Sequence, residues 1–187
     1  MKLLGVEGEI IEIEKPVRLA ILGCGSHVYR NILPAIRFVP RAVLTCVCDK
    51  NEDKSRLFAQ YHGIAAWYTS VEDLLEVFPE KFDALLAVVG FCPTTGRPLY
   101  PDILPAFLER GVPVWLEKPP ASSAGELQLL VDSAIKGKTF FQTGFKMMIA
   151  PAIQKVKQLL EMPQFGAIES FDISYAVTYP DDIRDLT

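Results

Sequence analysis

Histidine is scarce in this chain: His27 and His62 are the only two among 187 residues. Neither has a ligand partner at metal spacing, so no metal site is expected. Cysteine is scarce as well, and Cys24, Cys46, Cys48 and Cys92 do not read as a disulfide framework. Cys46 and Cys48 lie on one apolar stretch and are expected to face apart, which removes them as a joint ligand pair. Positive charge is not in excess. Lys and Arg number 19 against 23 Asp and Glu, a net charge of −4, so no nucleic-acid partner is expected. No apolar run approaches the length of a membrane span. Glutamates interrupt residues 1–15, which argues against a signal peptide. A reducing cytoplasm is the expected location, with no membrane partner.

What is present is an alternation of apolar runs and helical patterns. With 50% hydrophobic and 22% charged residues, the composition fits a folded α/β domain rather than a disordered segment. A chain of this length can bury one core and begin a second unit. The strand candidates are Val17–Leu22, Ala42–Cys48, Ile64–Tyr68, Phe82–Val89, Val112–Leu116 and Thr139–Gly144. Their apolar residues are continuous rather than alternating, as in parallel strands covered on both faces. Ser70 with Asp73, and Ser123 with Glu126, have the spacing of capping boxes that open helices. Gly63 and Gly111 stand where helices should stop. Six strands joined by right-handed helical crossovers make a doubly wound parallel sheet. The expected organisation is an N-terminal arm over 1–16, a nucleotide-binding domain over 17–150, and the opening of a second domain over 151–187.

That last segment has a different pattern. Residues 152–161 read as a helix with Ile153, Val156, Leu159 and Leu160 on one face. After Gly166, Phe171, Ile173, Tyr175, Val177 and Tyr179 are apolar at every second position. A period of two marks a strand with one buried face, typical of an antiparallel sheet. The expectation is the first strand of a truncated antiparallel α+β domain. Its stripe is expected to pair with a second copy, giving a homo-oligomer, or to be covered by Leu3, Leu4, Val6, Ile10, Ile11 and Ile13.

Two motifs carry chemistry. Gly23-Cys24-Gly25-Ser26-His27 follows the first strand and precedes the helical stretch Tyr29–Phe38. Gly23 permits a tight turn, Gly25 lets backbone approach a pyrophosphate, and the helix N-terminus faces the anion. Val28 replaces the third glycine of the usual fingerprint, so helix and strand are expected to pack further apart. Asp49 ends the second strand, where a carboxylate suits the ribose hydroxyls of an adenosine. The competing reading makes Asp49 a turn residue that caps a helix starting at Asn51. A carboxylate there repels a 2′-phosphate, which favours NAD, while the neighbouring Lys50 leaves NADP open. The second motif, Glu117-Lys118-Pro119, ends the fifth strand. Ligands of open parallel sheets bind outside the carboxyl ends of the strands, so Lys118 is a candidate proton-transfer group held by Glu117. The pair is equally readable as solvated charge at a strand end, and residue chemistry alone leaves both readings open.

Gly23-x-Gly25, Asp49, Tyr68-Thr69-Ser70, Glu117-Lys118-Pro119, Gly144-Phe145 with Pro151, and Phe165-Gly166-Ala167-Ile168 occur in the order seen in one enzyme family. The chain resembles the Gfo/Idh/MocA oxidoreductases over residues 17 to 179. The resemblance implies a Rossmann domain followed by an antiparallel domain that mediates oligomerisation. It implies hydride transfer between a nicotinamide and a hydroxyl or carbonyl carbon of a sugar, cyclitol or related small-molecule substrate. Lys118 would take the family lysine's role in substrate binding and proton transfer, with Glu117 orienting it. The implied cofactor contacts are Gly23, Gly25, Ser26, His27, Asp49 and Lys50 on the adenosine and pyrophosphate side. Val89, Gly90, Phe91, Pro93 and Glu117 are implied on the nicotinamide side. A cis Lys118–Pro119 bond is also implied.

Three departures stand against the family pattern. Tyr100 replaces a histidine, the loop Phe91–Pro98 is long, and Met148 replaces an arginine. The family's catalytic Asp and His would fall beyond residue 187. A catalytically silent dinucleotide-binding or scaffold subunit is therefore the rival expectation. His27 is expected to line the phosphate turn, and His62 to lie on the surface at a helix end.

Overall fold

The computed structural model describes residues 2–4, 10–12 and 15–174. The chain divides into two compact units, Met1–Gly144 and Phe145–Thr187. In the first unit, β1 (Lys2–Leu4) and β2 (Ile10–Glu12) pair antiparallel with each other. The remaining strands are β3 (Val17–Leu22), β4 (Ala42–Cys48), β5 (Ala66–Tyr68), β6 (Ala84–Ala87), β7 (Val114–Leu116) and β8 (Phe141–Thr143). They form one six-stranded sheet in the order β5-β4-β3-β6-β7-β8, with every neighbouring pair parallel. This is the doubly wound Rossmann order, and each expected strand lies where the sequence places it. The direction of winding reverses between β3 and β6, which sets a crevice at their carboxyl ends.

The continuous apolar strands feed two cores. Ala20, Leu22, Cys46, Cys48, Leu85 and Ala87 belong to one buried cluster with Leu104, Phe107, Leu108 and Leu130. Ile21 and Val47 point into a second cluster with Val28, Leu33 and Phe58. Successive residues of a strand alternate between faces, so a strand covered on both sides carries apolar residues at consecutive positions. Phe58, Phe82 and Phe107 are fully buried, each worth roughly 1.5–3 kcal/mol relative to exposure. Cys46 and Cys48 share a face, contrary to the expectation that they face apart: residues two apart on a strand point the same way. Burial raises both thiols, Cys48 to about 12, so neither presents a thiolate. Among the described residues, no three His, Cys, Asp or Glu side chains cluster as metal ligands.

The helices begin and end on local chemistry. The Asn51 side chain accepts from the backbone of Lys54 and opens α2 (Glu52–His62), which closes on left-handed Gly63. Ser70 accepts from the backbone of Asp73 and opens α3 (Val71–Glu76). Next come α4 (Tyr100–Glu109), ended near Gly111, and α5 (Ala124–Lys136), opened by Ser123. The helix after the glycine turn starts with a π-helical turn over Val28–Ile32 before α1 (Leu33–Ile36). Pro34 has no N–H for the carbonyl of Arg30, and Leu33 instead donates to Val28, one residue further back than in an α-helix. Val28, standing where the usual fingerprint has its third glycine, is fully buried.

In the second unit, Lys146–Ile149 is a 3₁₀ turn and α6 spans Pro151–Leu160. Ile153, Val156 and Leu159 on α6 are exposed. Residues 166–174 have no regular structure, and Phe171 and Ile173 are exposed. Tyr175, Val177 and Tyr179 of the expected strand lie outside the described residues. No helix of the described residues is long and apolar enough to cross a membrane.

Candidate cofactor and active site

The turn after β3 is locked by its backbone. Gly23 has φ +99°, and its N–H donates to the Cys48 carbonyl at 2.7 Å. A Cβ on Gly23 would sit 2.2 Å from the Val88 carbonyl oxygen, so both conformation and space demand glycine here. Gly25 is different: a Cβ there would meet nothing within 4 Å, because the turn opens outward. Asp49 ties this turn to the next strand. Its Oδ2 accepts from the backbone N–H of Cys24 at 2.8 Å, and its Oδ1 from that of Asn51 at 2.9 Å. The helix cap is therefore Asn51, with Asp49 two residues before it bridging two loops. Each oxygen keeps a second lone pair for a further donor. The N–H groups of Gly25, Ser26 and His27 have no acceptor among the described residues. Unpaired N–H groups at a helix start, an open glycine and a fixed carboxylate fit the pyrophosphate and ribose of a dinucleotide.

The Glu-Lys-Pro motif stands at the carboxyl end of β7, on the same edge of the sheet. Glu117 is tucked in, with its side chain 17% exposed. Its Oε2 accepts from the backbone N–H of Lys118 at 2.9 Å. Its Oε1 lies 3.1 Å from His27 Nε2, and His27 Nδ1 lies 3.0 Å from Asn31 Nδ2. With Asn31 donating to Nδ1, the neutral ring donates from Nε2 to Glu117, so one tautomer satisfies both contacts. His27 belongs to the glycine turn after β3 and Glu117 stands just past the end of β7, so their contact links the two strands that flank β6. A Cβ on Gly144 would come within 3.2 Å of Glu117 Oε1 and 2.6 Å of Trp115 Cζ2, so the end of β8 also closes on Glu117. Lys118 itself is exposed, and its ammonium forms no ion pair among the described residues. Glu117 thus grips the lysine through the main chain and leaves the amine free. The Lys118–Pro119 bond is cis.

Tyr100 lies under this edge at 2% exposure. Burial pushes its phenol up to about 12, the Glu117 charge adds to the rise, and backbone contacts with Glu117 and Val89 oppose it. The residue that departs from the family histidine is thus a buried, neutral hydroxyl. Val89 is half-buried, whereas Gly90, Phe91 and Pro93 are exposed in the loop after β6. Lys50 is exposed beside Asp49.

Asn31 and Gly144 were not among the expected site residues. Asn31 sits four residues after His27, the one helical spacing that could have flagged it, whereas Gly144 is seen only once β7 and β8 are adjacent. His62 ends α2, as expected, but is half-buried rather than on the open surface. It packs among Tyr29, Phe58 and Tyr61, and its Nε2 is buried without a partner.

Residues 17–145 match the family model for an oxidoreductase family with an NAD-binding Rossmann fold, Gfo/Idh/MocA. The chain belongs to the Gfo/Idh/MocA family. Its first unit is an NAD-binding Rossmann domain, a fold whose members also include NADP binders. The chain is 28% identical over 166 residues to an oxidoreductase of Formosa agariphila, spanning 89% of this chain and 49% of the relative. It is 28% identical over 154 residues to scyllo-inositol 2-dehydrogenase (NAD(+)) of Bacillus subtilis, spanning 82% and 43%. Among solved structures, the WlbA dehydrogenase of Bordetella pertussis, in complex with NADH and UDP-GlcNAcA, is similar with a TM-score of 0.67 and 22% identity. That match covers 81% of this chain and 44% of the other. The chain spans less than half the length of these relatives.

Proposed function

We propose that this chain is the cofactor-binding part of an NAD(P)-dependent oxidoreductase acting on a hydroxyl or carbonyl carbon of a sugar, cyclitol or related metabolite. The observation that carries the reading is the hydrogen bond between His27 and Glu117. It joins the phosphate turn to the Glu-Lys-Pro motif across the crevice where a doubly wound sheet takes its ligand. Residues 17–150 would form the dinucleotide-binding domain, and 151–187 the opening of a second domain. The inositol dehydrogenases and nucleotide-sugar reductases among its relatives support the substrate class.

Gly23, Gly25, Ser26 and His27 would cradle the pyrophosphate, and Asp49, with Lys50 beside it, would receive the adenosine ribose. Val89, Gly90, Phe91, Pro93 and Glu117 would border the nicotinamide side. When bound, the nicotinamide supplies the hydride acceptor or donor. In the reductive direction, the Lys118 ammonium would give a proton from Nζ to the carbonyl oxygen as the hydride arrives, leaving a neutral amine; in the oxidative direction that neutral amine would take the proton of the substrate hydroxyl as the hydride leaves. Glu117 would hold the lysine backbone so that the amine meets the substrate in one position. The test is a panel of polyols and sugars offered with NAD⁺ to the protein in its natural full length, followed by the appearance of reduced nicotinamide. Turnover of a polyol or sugar that depends on Lys118 is expected. A protein that binds NAD⁺ yet reduces none of it across the panel would return the reading to a silent binding subunit.

A further inference from the structure

The loop after β6 is not a loose connection. Phe91 and Pro98 form an antiparallel bridge, and the Cys92 N–H donates to the Arg97 carbonyl at 2.8 Å. The Gly96 N–H donates to the Cys92 carbonyl at 2.8 Å, and the Leu99 N–H to the Gly90 carbonyl at 3.4 Å. The loop therefore closes on itself as a small hairpin. Among the described residues, its side-chain hydrogen bonds to other elements come from the Arg97 guanidinium. Nη2 donates to both oxygens of Asp102, at 2.7 Å each, in the first turn of α4. Nη1 reaches Glu126 Oε1 at 3.2 Å, in the first turn of α5. The other oxygen of Glu126 accepts from the backbone N–H of Ser122 at 2.7 Å. That segment follows Lys118-Pro119 directly. A continuous run of contacts thus leads from the hairpin through Arg97 and Glu126 to the loop that carries the lysine.

We propose that Arg97 is a positioning residue for the nicotinamide half of the cofactor, clasping the hairpin after β6 to the segment after the Glu-Lys-Pro motif. The inference rests on the reading that a dinucleotide binds at this edge. In a doubly wound sheet the second half of a dinucleotide lies beyond the point where winding reverses, over β6 and its outer neighbours. The hairpin after β6 and the Lys118 loop after β7 emerge there, beside the Gly144 end of β8. Lone exposed ion pairs contribute little, but a guanidinium shared between two carboxylates, one of them also bound to backbone, fixes direction as well as distance. A lysine in its place offers a point charge and cannot span both partners in the same way. Holding both segments in place before binding removes an ordering cost that would otherwise fall on the nicotinamide half alone.

The experiment is calorimetric titration of the chain, and of its Arg97→Ala, Arg97→Lys and Asp102→Asn variants, with NADH and with ADP. ADP carries the adenosine and pyrophosphate but neither nicotinamide nor its ribose. For Arg97→Ala the NADH dissociation constant should rise about tenfold while that for ADP stays within about twofold. Arg97→Lys should recover only part of the loss, and Asp102→Asn should shift NADH in the same direction. Equal weakening of both ligands would make Arg97 a general structural tie and overturn the proposal, as would unchanged affinity for NADH. A parent chain that binds neither ligand would overturn the cofactor reading and the clasp with it, whereas a parent that binds both isolates the clasp.

Discussion

The two ends of the crevice are built in different ways. On the adenosine side the constraints lie in the backbone. Gly23 allows no side chain, Asp49 spends a hydrogen bond from each oxygen on main-chain N–H groups, and the N–H groups of residues 25–27 have no acceptor among the described residues. On the reactive side one side chain carries the chemistry. Lys118 is exposed, and what is fixed is its backbone, through Glu117. Binding of a pyrophosphate is thus written into the shape of the chain, whereas proton transfer depends on where a single amine meets its substrate. A substitution on the first side should damage folding and binding together. On the second it should damage turnover alone.

The largest expected effect falls on the second side. In the active enzyme, Lys118→Ala should lower turnover by about 10²–10⁴-fold, the usual worth of a positioned proton-transfer group, with NADH affinity unchanged. Steady-state kinetics beside a binding titration checks this, and an equal loss in both would erase the distinction between the two ends. On the first side, Gly23→Ala forces a Cβ into the Val88 carbonyl at a positive φ. It should cost on the order of 3 kcal/mol of stability, measured by denaturant unfolding. Gly25→Ala sharpens the contrast, because its Cβ meets nothing in the protein. It should change stability by less than about 1 kcal/mol and weaken NADH binding about tenfold by obstructing the pyrophosphate.

Asp49→Ala should be intermediate. Two backbone N–H groups lose their acceptor, at a cost of about 1–3 kcal/mol, and the preference for NADH over NADPH should shrink. The smallest effect lies away from both ends. Burial, with Arg37 nearby, lowers the pKa of His62 from the ordinary 6.5. The unfolded chain then takes up the proton first, so this contribution is complete above about pH 6.5 and is lost as the pH falls towards the folded value. The melting temperature should drop between pH 7 and pH 5, and His62→Phe should flatten that drop.

The strands, the helix caps and both motifs are legible because they are local. Apolar runs, caps such as Ser70 and Ser123, and glycines at fixed offsets announce themselves within a few residues. Ser123 shows the limit even there, since the Glu126 side chain bonds Ser122 rather than completing the box on Ser123. The His27–Glu117 contact spans 90 residues and the Arg97–Glu126 contact 29, and no periodicity reports such pairs. Cys46 and Cys48 share a face where they are expected to face apart, because only adjacent residues of a strand point opposite ways. The half-burial of His62 is not legible because Tyr29, from another element, joins Phe58 and Tyr61 of its own helix around the ring.

The central claim is that residues 17–145 bind a dinucleotide through the glycine turn and Asp49, and titration of this chain with NADH and NADPH tests it most directly. Binding of NADH in the micromolar-to-millimolar range, about 4–8 kcal/mol, is expected to be tighter than that of NADPH and to weaken in Gly25→Ala. Tighter binding of NADPH would contradict the role given to Asp49, and no binding of either by the folded chain would contradict the claim itself.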